Sequence, residues 1–148
     1  MTDATDHPIR VLFVCVGNAC RSQMAEAWAK HFAPGRVLAS SAGMMAFGSI
    51  PESTAEVMAE AGVSLDGQRS KGLREVQMAD MDVVVTMGYE VECTPPAGFK
   101  GQAVQWEIPD PFGRSLDCYR NVRDMIERKV LGLLADLLPP SAPWTRAG

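Results

Sequence analysis

Val11-Leu-Phe-Val-Cys-Val-Gly-Asn-Ala-Cys-Arg-Ser22 is the stretch that decides how this chain folds. Its first four residues are apolar, the mark of a strand covered on both faces. The strand runs into a loop that opens with Cys15 and closes with Arg21, five residues intervening. Gly17 and Asn18 at its centre both tolerate positive φ, which a tight cradle of inward-facing backbone N–H groups requires. A helical pattern begins at once. A thiol at the start of such a loop faces N–H donors, a guanidinium and a helix N-terminus, and each stabilises negative charge. The same groups suit a tetrahedral oxyanion held over the sulfur.

Working outward, strand and helix alternate. Ile9 to Val16 is expected as the first strand and Ser22 to about Phe32 as the first helix, with Met24, Trp28 and Phe32 on its buried face. Pro34-Gly35 ends it. Val37 to Ser41 is a second strand leading to Ala42-Gly43. The following loop carries the exposed aromatic candidate Phe47. Ser49-Ile-Pro-Glu52 has capping-box spacing, so a helix is expected from there to Ala61, stopped by Gly62. Leu73 to Met78 is one or two helical turns. Met81 to Met87 and Ala103 to Ile108 are the third and fourth strands. Ser115 caps a long last helix whose apolar residues, Leu116, Tyr119, Val122, Ile126, Val130, Leu133 and Leu137, recur at spacings of 3 and 4.

This order predicts an α/β domain of three layers, a four-stranded parallel sheet with helices on both faces. Residues 1–8 read as a flexible tail, 9–138 as a single catalytic domain and 139–148 as a C-terminal tail. Ligands of such sheets bind beyond the carboxyl ends of the strands. The Cys15 loop and the loops at 42–50, 88–101 and 109–114 are therefore expected on one rim.

With 148 residues, 47% apolar and 22% charged, the chain has the balance of an ordinary globular domain with a real core. A net charge of −4 does not favour nucleic acid, and no apolar run reaches membrane-spanning length. Met1-Thr-Asp-Ala-Thr-Asp-His-Pro8 reads as neither a signal nor a transit peptide, so a cytoplasmic setting is expected. The four cysteines, 15, 20, 93 and 118, form no paired metal knuckles, and no metal site is expected.

Cys15 is the candidate nucleophile, since thiolate rather than thiol attacks. No histidine lies near it in sequence, so activation is expected from the loop itself. Arg21 is the candidate clamp, because its planar fork binds two oxygens of an oxyanion. Asn18 is expected to hold positive φ, and the Ser22 hydroxyl to donate to the Cys15 sulfur. Asp110, in a stiff Asp-Pro turn, is the candidate general acid for the leaving oxygen. Cys20 and Cys93 are candidate second thiols. Cys118 reads as structural.

Cys15-Val-Gly-Asn-Ala-Cys-Arg-Ser22 resembles the phosphate-binding loop of the low-molecular-weight protein tyrosine phosphatases and of the arsenate reductases that share their fold. Ser41-Ala-Gly43, Val84-Val-Thr-Met-Gly88 and Asp110-Pro111 follow in family order, and the resemblance spans about residues 9–138. It implies Cys15 as nucleophile, Arg21 as clamp and Asp110 as acid. It also implies oxyanion binding by Val16, Gly17, Asn18, Ala19, Cys20, Arg21 and Ser22, and loop ordering by Asn18, Ser22 and Ser41.

Gln23, where the phosphatases usually have Pro, is similar to the reductases. So is Phe112-Gly113 in place of paired tyrosines. The resemblance therefore implies an arsenate reductase that binds no cofactor and needs an external thiol reductant, thioredoxin or a small cellular thiol, and that is expected as a monomer. The alternative is a phosphatase for phosphotyrosine or aryl phosphates, with Phe47 and Tyr89 or Phe112 lining the cleft. Of the two further cysteines of thioredoxin-coupled reductases, only the later is kept, as Cys93, while Met87 or Tyr89 holds the earlier place. Either Cys93, Cys20 or an outside thiol resolves Cys15. Glu26 and Ser41 match the family's monovalent-cation site, and Lys71 stands where an acidic ligand is expected, with its ammonium in place of the cation.

Overall fold

The computed structural model describes residues 7–88 and 93–139. Tyr89 and most of the two expected tails lie outside them. Strands β1 (Ile9–Cys15), β2 (Val37–Gly43), β3 (Val83–Met87) and β4 (Gln102–Trp106) form one sheet in the order β2-β1-β3-β4, every pair parallel. Helices α1 (Arg21–Phe32), α2 (Glu52–Glu60) and α3 (Leu116–Leu137) follow the first, second and last strands.

Burial of the sheet explains the apolar run at 11–14. Val11, Phe13 and Cys15 point into a core shared with all three helices, where Met24, Trp28, Val57, Tyr119, Ile126 and Val130 close over them. Leu12 and Val14 point the other way, with Val84 and Ala42. That second face is covered by two 3-10 turns, Leu73–Glu75 and Met78–Asp80, through Leu73, Val76, Met78 and Met81. Val11, Leu12, Phe13 and Val14 are fully buried, each contributing about 1.5–3 kcal/mol of transfer free energy. Both faces thus carry helices, α-helices on one and single 3-10 turns on the other.

Local caps differ in part from expectation. Ser115 caps α3, its hydroxyl accepting the Cys118 N–H at 3.2 Å. Ser49 does not cap α2. The N-cap is Pro51, with no side-chain bond, and the helix starts at Glu52. The reason is the proline itself: it drives the preceding Ile50 out of the α region, so the helix cannot begin two residues earlier. Arg120 and Arg123 from α3 both pair with Glu60 and tie α2 to α3.

All four strands end at one rim, at Cys15, Gly43, Met87 and Trp106. Gly43 is forced to be glycine there. A Cβ on it would lie 2.6 Å from the Val16 carbonyl oxygen and 2.8 Å from the Asn18 nitrogen. The end of β2 packs that closely under the loop after β1.

Candidate active site

The loop between β1 and α1 is held from outside, one carbonyl at a time. Cys15 O accepts from Met44 N at 3.0 Å and Val16 O from Met45 N at 2.8 Å. Gly17 O takes Phe47 N at 2.9 Å and the Ser70 hydroxyl at 3.2 Å. Asn18 O takes the Gln23 side-chain amide, Ala19 O the Thr54 hydroxyl, and Cys20 O the Met24 N–H. Six successive carbonyls thus have partners. In a trans peptide the next N–H points opposite to the carbonyl. With the carbonyls turned to these partners, the N–H groups of residues 16–21 turn toward the concave side, where the Cys15 sulfur lies.

Asn18 bends the loop with φ 50, the only non-glycine residue with positive φ among the described residues. Gly17, expected to share that role, does not adopt positive φ. Asn18 is fully buried, and both polar atoms of its side chain are bonded. Its Nδ2 donates to Ser22 Oγ at 2.8 Å, and its Oδ1 accepts from Lys71 N and from Gln23 Nε2. Ser22 Oγ in turn lies 2.9 Å from Cys15 Sγ. Gln23 is fixed by Gln68, whose amide donates to its Oε1 at 2.8 Å.

Arg21 is 2% exposed, an uncommon burial for a guanidinium. Its Nη1 donates to Ile108 O at 3.1 Å, and its Nη2 stands 3.7 Å from Asp110 Oδ2. Asp110 is half-exposed, and its Oδ1 accepts the Phe112 N–H at 3.0 Å. Cys15, Gly17, Ala19, Arg21, Asp110 and the rings of Phe47 and Phe112 line one small pocket. Cys15, Arg21 and Asp110 are therefore brought together from the ends of β1 and β4.

The remaining sequence candidates are placed elsewhere. The Ser41 hydroxyl donates to Glu26 Oε1 at 2.6 Å. Glu26, itself buried, pairs at 2.6 Å with Lys30 rather than with Lys71. Burial holds the Lys71 ammonium below its ordinary pKa, and attraction to Glu26 opposes this. Cys20 borders the pocket, but its thiol donates toward Tyr119 Oη at 3.7 Å. Burial pushes the Cys20 thiol up, outweighing bonds from Thr54 and Tyr119. Cys93 packs against the cluster of Leu12, Val14, Ala42 and Val84 on the sheet face away from Cys15, and burial raises its pKa too. Among the described residues no group of three or more His, Cys, Asp or Glu side chains could hold a metal ion, and no helix is long and apolar enough to cross a membrane.

Sequence reasoning did not find Thr54, Gln68 and Ser70, the outer supports of the loop. Thr54 had one available signal, a hydroxyl on the buried face of α2 beside Val57 and Met58.

Residues 10–139 match the family described as low molecular weight phosphotyrosine protein phosphatase. The chain is 34% identical over 129 residues to a glutaredoxin arsenate reductase of Synechocystis, covering 86% of this chain and 98% of that one. Among solved structures, an arsenate reductase in the phosphate binding state superposes with a TM-score of 0.79 at 32% identity, covering 88% of this chain and 99% of that one. A tyrosine phosphatase of Erwinia amylovora superposes with a TM-score of 0.77 at 27% identity, covering 88% and 93%.

Proposed function

Since the chain belongs to the low molecular weight phosphotyrosine protein phosphatase family, we propose that it is a thiol-dependent arsenate reductase. The observation that carries this is the buried Cys15 thiol at the base of a prebuilt oxyanion cradle, in a chain so similar along its length to a glutaredoxin arsenate reductase.

Arsenate enters with its oxygens on the loop N–H groups and the Arg21 fork. The Ser22 hydroxyl stabilises the Cys15 thiolate. The thiolate attacks arsenic, an S–As bond forms, and one arsenate oxygen leaves as water or hydroxide. A second thiolate then attacks the Cys15 sulfur. The S–S bond forms as the S–As bond breaks, and arsenic keeps the electron pair and departs as arsenite. Arsenic gains two electrons and the two thiols lose them.

The second thiol is supplied from outside the chain, by a glutaredoxin- or thioredoxin-type protein or a small cellular thiol. Two features support this. Cys93 lies on the far sheet face, and Cys20 is turned toward Tyr119. Both are held protonated by burial, and a thiol is a poor nucleophile.

A second reading, an aryl phosphatase, is favoured by Asp110, which stands beside Arg21 where a leaving phenolate oxygen would need its proton. The experiment that separates them is a paired assay. Arsenite formation is measured with glutaredoxin and glutathione, thioredoxin, or a small thiol supplied separately, alongside hydrolysis of p-nitrophenyl phosphate. Arsenite formation that vanishes in Cys15→Ser and persists in Cys93→Ser is expected. Aryl phosphate turnover with no arsenite under any thiol overturns the reductase reading. Loss of arsenite in Cys93→Ser makes Cys93 the resolving thiol instead.

A further inference from the structure

A line of hydrogen bonds runs from Gln68 to the Cys15 sulfur. Gln68 Nε2 donates to Gln23 Oε1 at 2.8 Å, Gln23 Nε2 to Asn18 Oδ1 at 3.0 Å, and Asn18 Nδ2 to Ser22 Oγ at 2.8 Å. Ser22 Oγ lies 2.9 Å from Cys15 Sγ. Asn18, Ser22 and Gln23 are fully buried, and Gln68 stands at the partly exposed outer end.

Backbone groups fix the direction of the line, one amide at a time. The Lys71 N–H points at one atom of the Asn18 amide, which must therefore be its oxygen. Gln23 meets that oxygen and also the Asn18 and Arg69 carbonyls with a single atom, which must therefore be its nitrogen. Gln68 meets the Gln23 backbone carbonyl as well as Oε1, so it too donates. All three amides thus point their N–H groups toward the site. At the last link the Asn18 N–H on the Ser22 oxygen leaves the hydroxyl proton to a thiolate.

We infer that Gln68 and Gln23 are positioning residues that strengthen the hold of Ser22 on the Cys15 anion through this line of aligned amides. A donor on an amide oxygen draws electron density from the amide nitrogen, and the N–H on the far side becomes a better donor. Neither glutamine touches the sulfur. The inference rests on Cys15 reacting as a thiolate, whichever oxyanion the protein takes. Each link strengthens the next by about 10–30%, and the last link, a bond to a charged group, is worth about 10- to 100-fold. Loss of one outer link therefore lowers the thiolate population at a given pH by about 1.3- to fourfold.

The test is alkylation of Cys15 by iodoacetamide in the full chain, followed by mass spectrometry as a function of pH. Gln68→Met keeps the length of the side chain and removes the donor. It is expected to slow alkylation about twofold on the rising limb of the pH profile. The plateau at high pH, and the phosphate concentration that halves the rate, are expected to stay where they are. Gln23→Met, one link closer, is expected to slow the rising limb further. In a Ser22→Ala background the effect of Gln68→Met is expected to vanish, because the line no longer reaches the sulfur. An unchanged rate in Gln68→Met overturns the inference. So does a loss that persists in Ser22→Ala, or one matched by a change in plateau or phosphate protection, because Gln68 would then be shaping the loop as a whole. No arsenate enters the measurement, so a wild-type enzyme that forms no arsenite defeats the reductase reading alone.

Discussion

The Ser22 hydroxyl lies 2.9 Å from the Cys15 sulfur while its oxygen accepts the Asn18 side-chain amide at 2.8 Å. With the Asn18 N–H pointing at the oxygen, the hydroxyl proton is available to a Cys15 thiolate, which has no proton of its own to give. Hydrogen bonds to charged groups are worth about 1.5–3 kcal/mol, or about 10- to 100-fold. Ser22→Ala is therefore expected to slow alkylation of Cys15 by iodoacetamide at neutral pH by at least about tenfold. An unchanged rate would show that the loop N–H groups and Arg21 suffice.

Asp110→Asn separates two chemistries within one pocket. Expelling a phenolate requires a proton, and general acids contribute about 100- to 10,000-fold. Reduction ends instead with a thiolate displacing arsenite from sulfur. Hydrolysis of p-nitrophenyl phosphate is expected to fall by about 100-fold and arsenite formation by a few-fold at most, both read in steady-state assays. Equal losses would remove Asp110 from the acid's role.

Gln23 is a stability prediction. Its amide serves Asn18 O, Asn18 Oδ1 and Arg69 O from a fully buried position. Gln23→Leu keeps the volume and removes this partner from Asn18 O and Arg69 O, while Asn18 Oδ1 keeps the Lys71 N–H, at about 1–3 kcal/mol for each group left unsatisfied. Urea unfolding is expected to show a loss of about 2–4 kcal/mol. Gln68→Ala, further out in the same chain of amides, should lose less.

Alkaline pH tests Cys20. Its folded pKa is raised by burial above the ordinary 9.0. A raised pKa in the folded state means the unfolded chain releases its proton first. The stability it contributes is complete below about pH 9 and is lost as pH rises toward the folded value. Tyr119, also raised by burial, acts in the same direction at higher pH. The urea midpoint should drop above pH 9, and Cys20→Ala should flatten the early part of that drop.

What the sequence revealed follows from how far apart the interacting residues are. Cys15, Asn18, Arg21 and Ser22 lie within eight residues, and their bonds are dictated by one turn and one helix start. The parallel sheet could be anticipated because strands alternate with helices and β1 is apolar throughout its centre, whereas the spatial order β2-β1-β3-β4 could not. Thr54 and Ser70 reach the same loop from 35 and 53 residues away, and Gln68 reaches Gln23 at the start of α1 from 45. Apart from the Thr54 hydroxyl on the apolar face of α2, nothing local marks such partners, since their geometry exists only once α1 and β2 have docked. Ser49 failed for a local reason, the stiffness that Pro51 imposes on Ile50. The positive φ expected of both Gly17 and Asn18 belongs to Asn18 alone, and a Cβ on Gly17 would meet only the end of the half-exposed Phe47 side chain.

The outward anchoring of six successive carbonyls also decides what the pocket can discriminate. A ring of N–H groups fixed in advance reads charge and tetrahedral shape, and those are the same for arsenate and phosphate. Inorganic phosphate must therefore occupy the pocket whenever it is abundant, as a resident that the thiolate cannot reduce. Selection between the two elements falls to the step after binding, where an arsenic–sulfur bond can be broken by a second thiol with arsenic keeping the electrons. The protein sorts its oxyanions by what they do once held, and the unproductive one competes for the pocket in proportion to its abundance.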